Sequence, residues 1–118
     1  MPTMSCRRGD ILLVLFPDSN LRTSKRRRAV VVQADQLGTN LPQIIVAMVT
    51  SNMQRAGHPS RVIVRVASED AKTSGLLTDS VIMTDNLATV HRAEIDRVIW
   101  TLRDPSELNA ALRTTLAL

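Results

Sequence analysis

Cysteine and aromatic side chains are scarce in this 118-residue chain, and each scarcity excludes a class of protein. The single cysteine, Cys6, cannot form an internal disulfide, so the chain fits a reducing compartment rather than a disulfide-stapled scaffold. The aromatic residues are Phe16 and Trp100, and tyrosine is absent. That composition disfavours modules that stack RNA bases on aromatic rings, so any RNA contact must use charge, hydrogen bonds and aliphatic surfaces.

Long apolar segments and metal-binding motifs are also missing. No unbroken apolar run is longer than the six residues 11–16, whereas a bilayer-crossing helix needs about 20 residues, and no small-residue cleavage site follows residues 11–16. No cysteine–histidine cluster has metal-ligand spacing, and no glycine-rich phosphate loop occurs. We therefore expect a cytoplasmic protein that needs no membrane, metal or cofactor.

Basic residues, by contrast, are concentrated in one short segment. Fifteen lysines and arginines against eleven acidic residues give a net charge of +4, which favours an anionic partner: nucleic acid, a membrane surface or an acidic protein. Five basic residues fall within seven positions: Arg22, Lys25, Arg26, Arg27 and Arg28. Apolar β-branched residues follow directly, so the pattern predicts a basic cluster at the mouth of a strand.

Short apolar runs separated by polar turns predict a mostly β protein that ends in an α-helix. We expect strands at residues 11–16, 29–33, 44–50, 61–66, 80–84 and 97–102, with a helical turn within residues 89–98. Asp104 as a cap, Pro105 at the first helical position and Glu107 three residues after the cap predict the helix start. The apolar face of that helix contains Leu108, Ala111, Leu112, Thr115 and Leu116. The length fits one domain, residues 1–118, and the elements fit a small antiparallel barrel.

Several strings along the chain, taken in order, resemble the MazF/PemK (Kid) toxin family. They are Arg8-Gly9-Asp10-Ile11, Arg27 before Val30-Val31-Val32-Gln33, residues 46–51 (VAMVTS), residues 74–82 (SGLLTDSVI), Asp85-Asn86 and Thr89-Val90. The resemblance implies an SH3-like antiparallel barrel of the MazF/CcdB-like fold, assembled as a homodimer. It also implies a type II toxin, neutralised by a cognate antitoxin, that acts as a sequence-specific endoribonuclease on single-stranded RNA.

The resemblance also implies which residues form the site. The catalytic pair of the family is an arginine at the start of the second strand and a threonine at the end of the third, which correspond to Arg27 and Thr50. Side chains alternate along a strand, so Arg27 faces one way and Arg26 and Arg28 face the other. Arg28 stands where the family usually has proline. The other basic residues of the cluster are expected to contact RNA: Arg22, Lys25, Arg26 and Arg28.

Metal-free RNA cleavage can use the 2′-hydroxyl of the substrate as the nucleophile. The site must then accept a proton, donate one to the leaving oxygen and stabilise charge on the phosphoryl oxygens. The planar donor fork of Arg27 matches a phosphate, but arginine stays protonated and is a poor base. The Thr50 hydroxyl can hold the phosphate for in-line attack, Ser51 is a candidate to assist it, and the general base is left open.

One candidate for that base is Asp85, because some family members have an acidic residue there and an arginine two positions earlier. Here the earlier position is Met83, so we expect Asp85 to be an exposed loop carboxylate instead. Ala88 stands where the family often has arginine, which removes one expected phosphate contact. His58 and His91 lie outside the family strings, and we expect loop or surface roles for both.

Two other functions fit the same fold. A gyrase poison of the CcdB type acts through a tryptophan-containing C-terminal tip, whereas this chain ends in residues 115–118 (TLAL) and has its tryptophan at Trp100. A catalytically impaired RNA-binding barrel fits the departures at Met83 and Ala88, but the presence of Arg27 and Thr50 argues against it. The endoribonuclease is therefore the favoured prediction.

Overall fold

The computed structural model describes residues 5–65 and 78–118. Within them lie six strands and one α-helix: β1 (Asp10–Pro17), β2 (Ser24–Val31), β3 (Gln43–Thr50), β4 (Arg61–Val64), β5 (Ser80–His91), β6 (Ile95–Thr101) and α1 (Ser106–Leu116). Short 3₁₀ turns occupy Met53–Arg55 and Arg92–Glu94. The strands form one antiparallel sheet in the order β4-β5-β3-β2-β1-β6. None of the helices in these two ranges is long and apolar enough to cross a membrane.

The sheet buries apolar side chains on both of its faces. The cluster under α1 contains Ile11, Val30, Ala47, Val49, Val62, Val64, Ile82, Leu108, Ala111 and Leu112. The cluster on the other face contains Leu12, Val14, Phe16, Ala29, Val31, Ile44, Val46, Val90 and Ile95. Odd and even residues of β2 therefore enter different clusters, as strand alternation predicts.

Strong curvature brings the two edges of this sheet together near the helix. Val64 of β4 and Trp100 of β6 line one small cavity with Leu108 of α1. The described parts of β4 and β6 nevertheless form no strand pairing with each other. The predicted mostly β, barrel-like fold with a C-terminal helix is confirmed, and within residues 5–65 and 78–118 the sheet does not close into a full barrel.

The Gly9-Asp10 pair at the start of β1 has a structural role. Gly9 has a φ of +93°, which favours glycine, and its N–H donates to the Val31 carbonyl at 2.8 Å. The buried Asp10 carboxylate accepts from the Arg7 N–H at 2.8 Å and from the Thr101 hydroxyl at 2.7 Å. These bonds tie the beginning of β1 to both of its neighbouring strands.

Strand β2 extends well before the predicted range 29–33 and ends at Val31, so that prediction was wrong at both ends. The basic residues join the strand because they pair with apolar β1, where Arg28 lies opposite Leu13 and Lys25 lies opposite Phe16. This pairing overrides the weak strand preference of lysine and arginine. The basic cluster therefore lies mostly inside β2 and not at its mouth.

Strand β5 is also longer than predicted, since it continues past residue 84 to His91. Its two halves both pair with β3, with Met48 opposite Met83 and Ala47 opposite Leu87. Residues 84–86 lie between these pairs as an extra segment, the β5 bulge. The helical turn predicted within residues 89–98 is confirmed at Arg92–Glu94.

The remaining predicted elements agree with the structure at most positions. Strand β3 and the C-terminal helix are confirmed, but Pro105 caps the helix and Ser106 is its first residue. Asp104 accepts the Ser106 N–H at 2.9 Å, and the hydrogen bonds from Ser106 lower the pKa of this carboxyl. Leu116, predicted on the apolar face, is half exposed. Arg65 of the predicted fourth strand lies beyond the end of β4, and Val66 lies outside the described residues.

Candidate active site

Arg27 and Thr50 lie on the same face of two neighbouring strands. β2 and β3 run antiparallel, with Ala29 opposite Met48. Arg27 comes two residues before Ala29 and Thr50 comes two residues after Met48, so the same register, continued along both strands, sets Arg27 opposite Thr50. The β2–β3 pairing itself covers Ala29 to Val31, so the placement of Arg27 next to Thr50 follows from extending this register by two residues.

The Arg27 guanidinium is held by a carboxylate that follows β1. Its Nη2 donates to Asp18 Oδ1 at 3.2 Å, with 34% of the Arg27 side chain and 16% of the Asp18 side chain exposed. The Thr23 hydroxyl donates to the second Asp18 oxygen at 2.6 Å. The bond from Thr23 and then the one from Arg27 lower the pKa of Asp18, which is therefore ionised at neutral pH. Asp18 orients one end of the Arg27 fork, and the other N–H groups are directed elsewhere for a phosphate to use.

A polar cavity of about 510 Å³, the Arg27 cavity, opens beside this guanidinium. It is lined by Pro17, Asp18, Ser19, Asn20, Thr23, Lys25, Arg27, Met48 and Asn86. Its size lies within the roughly 300–1,000 Å³ of small-ligand sites. No functional role is predicted from the sequence for Asp18, and Asn86 is named there only within the string Asp85-Asn86. Asn86 lies in the β5 bulge, where its Nδ2 donates to Met48 Sδ at 3.2 Å.

Thr50 ends β3 with its hydroxyl in a defined orientation. The side chain is half-buried, and Oγ1 accepts the Asn52 N–H at 3.1 Å. This bond uses a lone pair of the oxygen, so the hydroxyl proton is available to a second acceptor. Ser51 follows as an exposed residue at the start of the β3–β4 loop.

The basic cluster is divided between two faces of β2. Lys25 lines the Arg27 cavity on the Arg27 face, whereas Arg22 and Arg26 are exposed outside it. Arg28 lies on the opposite face, half-buried, and donates from Nη1 to the buried Ser80 hydroxyl at 2.7 Å. Burial lowers the pKa of Arg28, although an arginine remains charged at neutral pH. Arg28 therefore links two strands as well as adding charge.

Asp85 is exposed, as predicted, but it lies in the β5 bulge and not in a loop, so that part of the prediction was wrong. Both of its oxygens bind Arg61, with Nε to Oδ1 at 2.9 Å and Nη2 to Oδ2 at 2.7 Å. Those hydrogen bonds lower the pKa of Asp85, which makes it a weaker base. Arg61 lies directly opposite Met83 in the β4–β5 pairing. A neighbouring strand thus supplies an arginine beside the position where the family resemblance leads one to expect it.

The two histidines have structural contacts, and the predicted loop and surface positions are confirmed. His58 is exposed in the β3–β4 loop, where its Nδ1 accepts the Ser60 N–H at 3.1 Å. His91 is exposed at the end of β5, where its Nδ1 accepts the Ala93 N–H at 3.0 Å. Across residues 5–65 and 78–118, no group of three or more histidine, cysteine or acidic residues is placed to hold a metal ion.

The Arg27 guanidinium on β2 and the Thr50 hydroxyl at the end of β3 are both groups that can donate to a phosphate. Comparison with known families decides the assignment: the model of the "PemK-like, MazF-like toxin of type II toxin-antitoxin system" matches residues 7–117. The chain belongs to this toxin family. The PemK/MazF-like toxin is 30% identical over 118 residues to Endoribonuclease EndoA of Bacillus subtilis (strain 168), covering 98% of this chain and 97% of that protein.

Solved structures of similar shape support the fold of the toxin. An endoribonuclease in complex with its cognate antitoxin, from a mycobacterial species, has a TM-score of 0.73 at 18% identity, covering 97% of each chain. MazF from Deinococcus radiodurans has a TM-score of 0.69 at 18% identity, covering 96% of this chain and 97% of that one. At these identities the likeness concerns the fold, and it confirms the predicted MazF-like architecture.

Proposed function

We propose that this PemK/MazF-like toxin is a sequence-specific endoribonuclease that cleaves single-stranded RNA without a metal ion. The observation that supports the proposal is the Arg27 guanidinium, oriented by Asp18 in a polar cavity next to β3, the strand that ends at Thr50. The relative EndoA is named an endoribonuclease, and the family is one of type II toxins. Arg27 and Thr50 are the proposed catalytic residues.

The reaction is a transfer of the phosphoryl group within the RNA chain. The 2′-oxygen attacks the adjacent phosphorus, a 2′-oxygen–phosphorus bond forms, and the bond from phosphorus to the 5′-oxygen breaks. A base takes the 2′-hydroxyl proton, and the leaving 5′-oxygen takes up a proton. The products are a 2′,3′-cyclic phosphate and a 5′-hydroxyl. Negative charge grows on the non-bridging oxygens, where the Arg27 fork donates in the transition state.

Thr50 complements Arg27 from the neighbouring strand. Its oxygen is fixed by the Asn52 N–H, so the hydroxyl proton can be directed at the same phosphate without reorganisation. Ser51 is placed next to Thr50 and is proposed to assist in holding the phosphate group. The exposed Arg22, Lys25 and Arg26 attract the flanking RNA backbone, and the half-buried Arg28 adds to this field.

We also propose the assembly and setting in which the toxin acts. Its partners are a second copy of the chain in a homodimer, single-stranded RNA, and a cognate antitoxin that neutralises it. It acts in the cytoplasm, where RNA is the substrate and the single thiol stays reduced. Light scattering on the purified toxin, alone and with its antitoxin, measures the stoichiometry directly.

We expect Asp18→Asn to lower kcat about tenfold, because the Arg27 fork loses a charge-assisted partner. KM is expected to stay unchanged or to fall, because the site loses a negative charge. The folded-state pKa of Asp18 is lowered, so its effect is full above the ordinary aspartate pKa and is lost as pH falls through the folded value. Steady-state kinetics from neutral to acidic pH measure both effects. An equal kcat for Asp18→Asn at neutral pH contradicts the orienting role.

The proposal is tested by incubating purified toxin with a long single-stranded RNA in excess EDTA and mapping the new 5′ ends. We expect cuts at one short recurring sequence, with 5′-hydroxyl ends that a polynucleotide kinase labels without prior phosphatase treatment. The same preparation is expected to leave gyrase supercoiling unaffected. Intact RNA together with inhibited gyrase supports the CcdB-type alternative instead.

A further inference from the structure

Arg61 makes three hydrogen bonds that join three segments of the chain. Its Nε and Nη2 bind the two oxygens of Asp85, and its Nη1 donates to the Arg55 carbonyl at 2.7 Å. Only 18% of the Arg61 side chain is exposed, against 40% for Asp85. The first residue of β4 is thereby fixed both to the β5 bulge and to the 3₁₀ turn of the β3–β4 loop.

The β3–β4 loop, residues 51–60, begins directly after Thr50 and is held at its start, middle and end. At the start, the Asn52 N–H donates to Thr50 Oγ1 at 3.1 Å. At the end, the Ser60 carbonyl accepts the Thr84 N–H at 3.1 Å and the Thr84 hydroxyl at 2.6 Å. In the middle, the Arg55 carbonyl is bound by Arg61.

The middle of the loop presents its side chains to solvent, although the loop backbone is held by hydrogen bonds. Met53, Gln54 and Arg55 are exposed, and none of them is buried in either apolar cluster. A polar amide, a guanidinium and a thioether on a fixed backbone can contact RNA bases at a defined distance from Thr50. Because the loop is already fixed, it loses less conformational entropy when RNA binds.

We propose that Arg61, oriented by Asp85, is a positioning residue that fixes loop 51–60 as the element that reads the RNA sequence. This inference rests on the proposed endoribonuclease function. Arginine suits the role because its planar fork binds the carboxylate through two bonds and keeps a third donor for the Arg55 carbonyl, which a lysine cannot reproduce. Asp85 in this role is a fixed anion whose two oxygens are already occupied, and it is not the general base.

The test compares Arg61→Ala, Arg61→Lys, Asp85→Asn and the double variant with the wild-type toxin. Arg65→Ala is the matched control, because Arg65 follows the same strand and pairs with Asp79 at 3.5 Å, whereas Arg61 pairs with Asp85. We expect Arg61→Ala to raise KM about tenfold with kcat within about threefold of wild type, because the loop then orders only on binding. Mapping on the long RNA is expected to show a broadened cleavage sequence. Arg61→Lys is expected to be intermediate, and the double variant no worse than Arg61→Ala.

A second readout does not depend on RNA cleavage. Arg55 is a trypsin site in the loop, so cleavage after Arg55 is expected to be faster in Arg61→Ala and Asp85→Asn and unchanged in Arg65→Ala.

Intact RNA with the wild-type toxin overturns the proposed function, whereas equal trypsin rates in all variants overturn the loop-fixing role alone. The loop-fixing role is also overturned if Asp85→Asn lowers kcat and removes the acidic limb of the pH–rate profile while KM and the cleavage sequence stay unchanged. Asp85 is then the general base. If Arg61→Ala fails to fold, the near-isosteric Asp85→Asn supplies the same two readouts.

Discussion

Arg27→Ala is expected to lower kcat about 10³-fold with a small change in KM, since it removes the main donor to the charge that grows on the phosphate. The wild-type guanidinium is oriented by Asp18 on the face of β2 that carries the Arg27 cavity. Alanine leaves no donor there, and Arg26 and Arg28 cannot substitute because alternation directs them to the opposite face of β2. Single-turnover cleavage of the mapped RNA measures the chemical step directly.

Two matched variants show whether this loss is specific to Arg27. Arg26→Ala removes an exposed charge from the same strand and is expected to raise KM about two- to threefold, with a weaker salt dependence and an unchanged kcat. Arg27→Lys keeps the charge but loses the fork, so its kcat is expected to stay at least tenfold below wild type. Normal cleavage by Arg27→Ala together with loss of cleavage in Arg26→Ala or Arg28→Ala would falsify the strand register on which the assignment depends.

Thr50→Val is expected to lower kcat about 10²-fold, because valine keeps the branched shape but removes the hydroxyl proton that holds the phosphate. Thr50→Ser restores a hydroxyl and is expected to recover most of that rate. Valine also removes the acceptor of the Asn52 N–H, so thermal unfolding of both variants is measured alongside the kinetics. Equal rates for valine and serine at position 50 contradict a role for the hydroxyl in the reaction.

The sequence is a good guide to those parts of the fold that depend on local pattern. The run of β-branched residues before Thr50 indicates β3, and the spacing of Leu108, Ala111 and Leu112 indicates the buried face of α1. Alternation correctly separates Arg27 from Arg28. These features are predictable because each is decided by neighbours within one element.

Features decided by pairing between distant segments are not predictable in the same way. Lys25 and Arg28 belong to β2 because the apolar strand β1 pairs with them. The sequence of the basic cluster alone does not show this pairing. The β5 bulge turns Asn86 toward the Arg27 cavity and Asp85 toward Arg61, although the two are adjacent in sequence. Position 83 lacks the arginine that the family resemblance leads one to expect, but Arg61 lies opposite this position on β4. Only the β4–β5 register shows this.

Arg28 is another residue whose role depends on a contact between distant segments. Its place in the sequence, where the family usually has proline, gives no indication of a structural role. In the structure it crosses to the buried Ser80 hydroxyl on the face opposite Arg27, and Ser80 donates in turn to the Thr78 carbonyl at 3.0 Å. An arginine can make this link because its long aliphatic stem tolerates partial burial while its donors stay satisfied.

The most direct measurement of the central claim uses one short RNA that contains the mapped cleavage sequence, incubated with wild-type toxin in EDTA. A second RNA differs only in a 2′-deoxyribose immediately before the cut. The account predicts complete cleavage of the all-ribose RNA to a cyclic phosphate and a 5′-hydroxyl, and no cleavage of the deoxy-substituted RNA. Cleavage of both RNAs, or cleavage that requires added Mg²⁺, contradicts a metal-independent reaction in which the 2′-hydroxyl is the nucleophile.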